Sequence, residues 1–154
     1  MVYEISKYKL QMVKESSAGV ELDKAIDHRL NSPAGVARLC DSVFDLEYEA
    51  EEVFIMLTLD TKHGITGVHE VGRGTLNSTL VHPREIFKRA ILANAAAVMF
   101  IHNHPSGDPT PSAEDKAVTE RMVKAGKLLG IEVLEHLVFC SRSNYVSMCE
   151  EGGL

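Results

Sequence analysis

The stretch over residues 102–115 constrains this chain most, because it joins two histidines, a turn-rich loop and a helix-start signal. His102 and His104 close an apolar run that is typical of a buried strand. Side chains two residues apart on a strand point to the same side, so both imidazoles can converge on one point. The following loop contains three prolines and a glycine. Ser112 and Asp115 then begin a helical pattern.

The residue types in this stretch suit a catalytic zinc ion, because two neutral imidazoles and one carboxylate leave a fourth position for water. Each signal taken alone has a simpler explanation. A histidine on an apolar strand is usually a packing residue, and Ser-x-x-Asp is close to the capping box of a helix. The combination is more specific, since Asp115 in the first turn of a helix can face the same point as His102 and His104. We therefore predict a metal site formed by these three residues.

Length and composition indicate one globular domain. The chain has 154 residues, 45% hydrophobic and 25% charged, which allows a core of its own. The net charge of −6 disfavours a nucleic-acid groove, which usually shows as a basic patch. Three cysteines without CxxC spacing indicate neither a disulfide scaffold nor a cysteine zinc site, and they suit a reducing cytoplasm. No long apolar run marks the N-terminus, so we expect no signal peptide or membrane span.

The periodicity of the chain predicts alternating helices and strands. Residues 1–31 are expected to form an N-terminal extension, with a short strand over 3–13 and a short helix or irregular segment over 19–30. The elements predicted after it are a helix over 33–41 capped by Ser32, an acidic linker over 45–51, strands over 52–60 and 65–71, a break or bulge over 72–74, a short strand over 75–81, a helix over 83–93 with Ile86, Phe87, Ala90 and Ile91 at core spacing, a strand over 95–102, a helix over 113–129 ended by Gly130, and strands over 131–140 and 145–148.

The motif His102-x-His104-Pro105, followed by Ser112 and Asp115, resembles the JAMM (MPN-plus) metalloprotease motif. The run HNHPSGDP from His102 is closer still to RadC-like JAB-domain proteins. Further segments that look like theirs lie over 74–78, 82–86 and 130–136.

The resemblance covers roughly residues 33–154, and we assign the domain to 32–154. It implies a single JAB/MPN-type domain of the α/β (α+β) class, in which helices flank a mixed β-sheet with cytidine-deaminase-like layering. Full-length members often carry a helix-hairpin-helix segment in front. This chain resembles the short, phage- or plasmid-type versions that lack it.

The resemblance also implies a role for each matching position. His102, His104 and Asp115 would ligate Zn²⁺, and Ser112 would hydrogen-bond the bound water or the developing oxyanion. A glutamate from an earlier strand would be the general base. Glu52 is the candidate, because Glu, any residue, Phe and an apolar strand is the family pattern.

Some assignments around the site remain open at this level. Glu51 and Glu70 are alternatives to Glu52 as the base. His136 is interpreted as a buried or supporting residue rather than a ligand, and Asp108 as a turn residue.

The function expected from the resemblance is zinc-dependent hydrolysis of a peptide or isopeptide bond in a peptide or protein substrate. The alternative is a non-catalytic metal-binding interaction module in DNA repair, as the RadC name suggests, or in phage or plasmid processes. A zinc nucleobase deaminase is excluded because His-x-Glu and Pro-Cys-x-x-Cys are absent. A magnesium-dependent nuclease is disfavoured, because such sites prefer oxygen-rich ligands.

Overall fold

A five-stranded mixed sheet organises the residues that the computed structural model describes, which are 12–14, 32–74, 81–150 and 152. The elements are α1 (Pro33–Val43), a 3-10 helix (Leu46–Tyr48), β1 (Val53–Leu59), β2 (Ile65–Arg73), α2 (Pro83–Leu92), β3 (Ala97–Asn103), α3 (Ala113–Leu129), β4 (Glu132–Ser141) and β5 (Asn144–Ser147). The strands lie in the order β2-β1-β3-β4-β5. Only β3 and β4 are parallel neighbours; the other pairs in this sheet are antiparallel. The α/β class predicted from the sequence is confirmed.

The two central strands, β1 and β3, are buried along their whole length. Because successive side chains of a strand point to opposite faces, they contribute to two separate cores. Ile55 and Ile101 pack on the face covered by α1, whereas Phe54 and Phe100 pack on the face covered by α2 and α3. His102 follows Phe100 by two residues and therefore emerges on the α3 side of the sheet.

The crossover from β3 through α3 to the parallel strand β4 brings the start of α3 to the end of β3. This is the edge of an α/β sheet where ligands commonly bind. A capping box fixes the helix start: Ser112 Oγ accepts from the Asp115 N–H at 3.1 Å, and the Asp115 carboxylate accepts from the Ser112 N–H at 2.7 Å. Gly130, with φ of 72°, ends the helix in the left-handed conformation, as predicted.

The start of α1 also follows the prediction, since the Ser32 side chain caps the helix by accepting from the Gly35 N–H. The break or bulge predicted over 72–74 is found one residue earlier. The strand β2 continues to Arg73, which pairs with Val53, but the register of β2 against β1 shifts at Val71, between the pairs Phe54–Gly72 and Ile55–Glu70.

The acidic linker predicted over 45–51 is mostly exposed, but it contains the 3-10 helix, whose Leu46 is buried in the core beneath α1. One prediction of burial is wrong. Ile91 was expected at a core position but is 55% exposed, because Phe87 and Ala90 occupy the buried side of α2.

Several other predictions lie outside the described residues. They include the N-terminal strand and helix, apart from residues 12–14, which carry no regular secondary structure. They also include residues 75–80 of the predicted short strand; Val81, which follows, is buried and not in a strand. Within the described ranges, no helix combines the length and apolarity that crossing a membrane requires.

Gly126 marks a close contact between α3 and the strand that follows it. A Cβ atom at this position would overlap the carbonyl oxygen of Ile131 and lie 3.2 Å from the ring of Phe87. We predict that Gly126→Ala lowers the free energy of unfolding by about 1–3 kcal/mol, as overpacking does. Urea denaturation measures this change. The sign of the change in the free energy of unfolding decides between the two effects, because helix propensity alone would make the alanine variant more stable by about 1 kcal/mol.

Candidate metal centre

Three polar side chains meet where β3 ends and α3 begins. His102 Nε2 lies 3.0 Å from His104 Nε2 and 3.2 Å from Asp115 Oδ1. His104 Nε2 lies 3.5 Å from Asp115 Oδ2. One potential ligand atom from each residue lies within 4.8 Å of the others, so this cluster could hold a metal ion. In the part of the chain that the structure describes, no other group of three or more histidine, cysteine or acidic side chains meets this condition.

The distances between the donor atoms fit a zinc ion. Zinc bonds to imidazole nitrogen and carboxylate oxygen are about 2.0–2.2 Å long in tetrahedral sites, which places two ligand atoms about 3.4 Å apart. The two Nε2 atoms are 3.0 Å apart, and the shortest distances from His102 and His104 to the Asp115 carboxylate, each to a different oxygen, are 3.2 and 3.5 Å, close to that value. His102 is buried, whereas the side chains of His104 and Asp115 are 13% and 14% exposed. The cluster is therefore anchored in the core and open on one side.

The loop after β3 sets the orientation of His104. Its Nδ1 atom lies 2.8 Å from the carbonyl oxygen of Asp108. Because a carbonyl only accepts hydrogen bonds, Nδ1 carries the proton and Nε2 of the neutral ring keeps its lone pair towards the cluster. The backbone N–H of His104 also donates to the carbonyl of Phe139 on β4 at 2.9 Å. Asp108 is itself a turn residue, as predicted, since its carboxylate accepts from the Thr110 N–H.

The environment of Asp115 keeps its carboxyl group ionised. Burial alone would raise the pKa of this group, because desolvation disfavours the charged form. The hydrogen bond and charge of His102, together with the hydrogen bonds from Ser112, outweigh burial and hold the pKa well below its ordinary value. Asp115 is therefore a carboxylate, the form that binds a cation.

The two oxygens of this carboxylate have different partners. Oδ2 accepts hydrogen bonds from the N–H and the hydroxyl of Ser112, at 2.7 and 2.6 Å. Oδ1 faces His102. Ser112 therefore orients Asp115 in this structure. The role of Ser112 towards a water or an oxyanion stays a prediction.

His102 also contacts a third histidine, His136, through the ring nitrogen that faces away from the other candidate ligands. His102 Nδ1 is 2.8 Å from His136 Nε2, and His136 Nδ1 is 2.5 Å from the hydroxyl oxygen of Thr119. Burial lowers the pKa of His136 well below its ordinary value, and the neighbouring charge of His102 adds to that effect. His136 is thus a neutral residue that contacts a candidate ligand from behind, as its interpretation as a supporting residue requires.

Asn103, between the two histidines, points to the opposite face and holds the start of β1. Its Oδ1 accepts from the Val53 N–H at 2.7 Å, and its Nδ2 donates to the Glu51 carbonyl at 3.0 Å. These two bonds bracket Glu52 in the backbone. The peptide units on either side of the candidate base are therefore fixed to the strand that carries the histidines.

Glu52 immediately precedes β1, and the alternation of that strand, extended back by one residue, predicts the side of the histidines for it. Phe54 is paired directly with His102, and opposite residues of antiparallel strands share a face. Glu52 precedes Phe54 by two residues, so alternation gives it that face too. It also borders an open cavity of about 400 Å³ that reaches the residue after His104; the lining residues are Ala50, Glu51, Glu52, Gly74 and Pro105.

The two alternative bases are placed less favourably. Glu51 borders the same cavity as Glu52 but lies two residues before β1, and the alternation of that strand, extended back, predicts the opposite face for it. Glu70 is paired with Ile55, which packs in the core beneath α1, and its carboxylate accepts two hydrogen bonds from Arg73 at 3.1 Å. The geometry therefore favours Glu52, whose role as the base stays a prediction.

Asn103 and Thr119 both support the cluster, although the sequence motifs assign neither of them a role. The available signals are positional. Asn103 is the polar residue between two histidines at the end of an apolar strand, and Thr119 is one helical turn after Asp115 on the same side of α3. Neither position by itself distinguishes a polar residue that contacts the cluster from one that contacts solvent.

The mixed sheet, the β3–α3 crossover and the His-His-Asp cluster define an α/β domain with a candidate metal centre of the JAB type. The sequence model for the RadC-like JAB domain matches residues 30–154. This chain therefore belongs to the RadC-like JAB-domain family.

Relatives in that family are similar over most of this chain. A UPF0758 protein of Desulfitobacterium hafniense is 40% identical over 161 aligned residues, covering 98% of this chain and 70% of that protein. A UPF0758 protein of Methanosarcina barkeri is 42% identical, covering 98% and 66%. One of Clostridium botulinum is 45% identical, covering 82% and 54%. The aligned region thus spans 54–70% of the length of these relatives.

Removal of the acidic candidate ligand tests the metal centre. We predict that Asp115→Asn weakens zinc binding by more than about 100-fold, because even residues that only orient ligands cost about 10–100-fold. Competition with a chromogenic chelator measures the affinity. Glu114→Gln is the matched control, since Glu114 is an exposed acid in the same first turn of α3. Equal affinities for the two variants would contradict the assignment.

Proposed function

We propose that this protein is a zinc-dependent hydrolase of the JAMM type that cleaves a peptide or isopeptide bond. The observation that supports the proposal most is the convergence of His102, His104 and Asp115 at donor separations of 3.0–3.5 Å. This set leaves a position for a water molecule, as catalytic zinc sites do. The family membership of residues 30–154 supports the same chemistry.

Each residue near the cluster has a distinct task in this proposal. A zinc ion held by the three ligands would polarise the scissile carbonyl and lower the pKa of water to about 7. Glu52, on the histidine side of β1, accepts the proton of the attacking water and returns it to the leaving amine. The Ser112 hydroxyl, which donates to Asp115 Oδ2 in this structure, is the candidate donor to the oxyanion.

The donor set also argues against a magnesium-dependent nuclease. Magnesium prefers an all-oxygen environment and binds through carboxylates, phosphates and water. Two of the three donors here are imidazole nitrogens, which suit zinc. Among the described residues that line the open cavity next to Pro105, Glu51 and Glu52 are acidic and none is basic, which disfavours a phosphate backbone as the substrate.

Replacement of the candidate base separates catalysis from metal binding. We predict that Glu52→Gln lowers kcat by about 10²–10⁴-fold, the usual contribution of a general base, while zinc content stays near one per chain. Metal analysis and cleavage of peptide and lysine-isopeptide libraries measure the two quantities. Glu51→Gln is the matched control, because it removes a neighbouring carboxylate that borders the same cavity.

The outcomes discriminate between the candidate functions. Loss of zinc from Glu52→Gln would make Glu52 a ligand or a structural residue. Zinc binding without cleavage of either library by the wild-type protein would instead support the non-catalytic interaction module. Cleavage that survives complete removal of zinc by a chelator would overturn the metal-dependent mechanism.

A further inference from the structure

A continuous chain of hydrogen-bonding groups connects the two secondary-structure elements that carry the candidate ligands. It begins at the backbone carbonyl of Asp115, which accepts from the Thr119 hydroxyl at 2.6 Å. The Thr119 oxygen lies 2.5 Å from His136 Nδ1, and His136 Nε2 lies 2.8 Å from His102 Nδ1. These hydrogen bonds therefore connect the first turn of α3, through His136 on β4, with the end of β3.

The first hydrogen bond determines which group donates at each later one. A carbonyl oxygen can only accept, so the Thr119 hydroxyl donates its single proton to the Asp115 carbonyl. The hydroxyl oxygen is then an acceptor, and His136 Nδ1 must carry a proton to donate to it. A neutral His136 leaves Nε2 bare, which requires a proton on His102 Nδ1. His102 then donates through Nδ1, so Nε2 is the ring nitrogen left to bind a metal ion, which would displace the proton that this atom shares with Asp115 in the metal-free protein.

We propose that Thr119 is a positioning residue that acts through His136 to hold His102 in the tautomer that binds a metal ion. The proposal rests on the metal centre of the proposed function but not on its catalytic activity. Without this direction, the histidine pair is ambiguous, because either ring could donate to the other. The opposite direction would put a proton on His102 Nε2, where a metal ligand needs a lone pair.

Apart from the candidate ligands around His102, the one further partner that the described residues give these hydrogen-bonding groups is the weak acceptor Met148 Sδ, 3.5 Å from the Thr119 oxygen. Thr119, His136 and His102 are each at most 1% exposed. The rings of Phe54 and Phe100 pack against the imidazoles, with Phe54 stacked on His102 and both phenylalanines edge-on to His136. Within the described residues, no buried side-chain nitrogen or oxygen lacks a hydrogen-bond partner. A dry, fully paired chain of this kind fixes proton positions more firmly than a solvated one.

The test removes the Thr119 hydroxyl while keeping the shape of the side chain. Thr119→Val should weaken zinc binding by about 10–100-fold, the range found for residues that orient metal ligands. Thr119→Ser restores the hydroxyl and should return the affinity to near the wild-type value. Thr58→Val is the matched control: Thr58 is also fully buried, and its hydroxyl bonds within the β1–β2 hairpin. Chelator competition measures all four proteins.

Histidine nitrogen chemical shifts give a readout that a purely structural role would not change. In zinc-loaded, nitrogen-15-labelled wild-type protein, His136 should carry its proton on Nδ1 and have a bare Nε2. In metal-free Thr119→Val, the fraction of His136 protonated at Nδ1 should fall, because the acceptor for that proton is gone. A His136 protonated at Nε2 in the zinc-loaded wild type would overturn the proposal.

The affinity measurements have equally definite outcomes. Thr119→Val binding zinc as tightly as the wild type overturns the proposal, and so does an equal loss in Thr58→Val, which would reflect general destabilisation. Failure of Thr119→Ser to recover affinity also counts against it. Wild-type protein that binds no zinc would refute the metal centre itself, whereas zinc binding without peptide cleavage leaves this proposal standing.

Discussion

The capping box at the start of α3 is the interaction on which the site depends. Ser112 and Asp115 bind each other's backbone N–H groups, so the helix cannot begin elsewhere without losing both bonds. The same carboxylate faces His102 and His104. A structural role and a ligand role for Asp115 are therefore not competing explanations. Capping fixes where the carboxylate stands, and the β3–α3 crossover fixes that this place is opposite the histidines.

Periodicity predicts the fold well where one physical signal dominates. The strands β1 and β3 are apolar on both faces and bounded by turn residues, and Ser32, Ser112 and Gly130 mark helix ends through hydrogen bonds local to the sequence. The prediction that Ile91 is buried is wrong, because helical spacing defines one face of a helix but not how much of that face the neighbouring elements cover. The last turn of α2, which contains Ile91, is not covered by the core.

The residues of the site also differ in how far the sequence predicts their positions. Strand alternation predicts that the two histidines lie on the same side, and the order strand, loop, helix predicts that Asp115 faces them. The roles of Asn103 and Thr119 depend on contacts between residues far apart in the chain, such as Asn103 with Val53 and Thr119 with His136. No local pattern encodes such contacts. The base is an intermediate case: the motif proposes Glu52, and the register of β1 against β3 gives the argument for its face.

The two histidines are held in their tautomers by different means, and this difference bears on how the site is built. His104 is set by a backbone carbonyl of the loop, which depends little on side-chain identity. The backbone of β3 around His102 is paired on both sides by β1 and β4. The partner of His102 Nδ1 is instead the side chain of His136 in the core, and Thr119 contacts His136 in turn. A histidine inside a central strand thus requires a buried polar partner, whereas one just beyond the strand end does not.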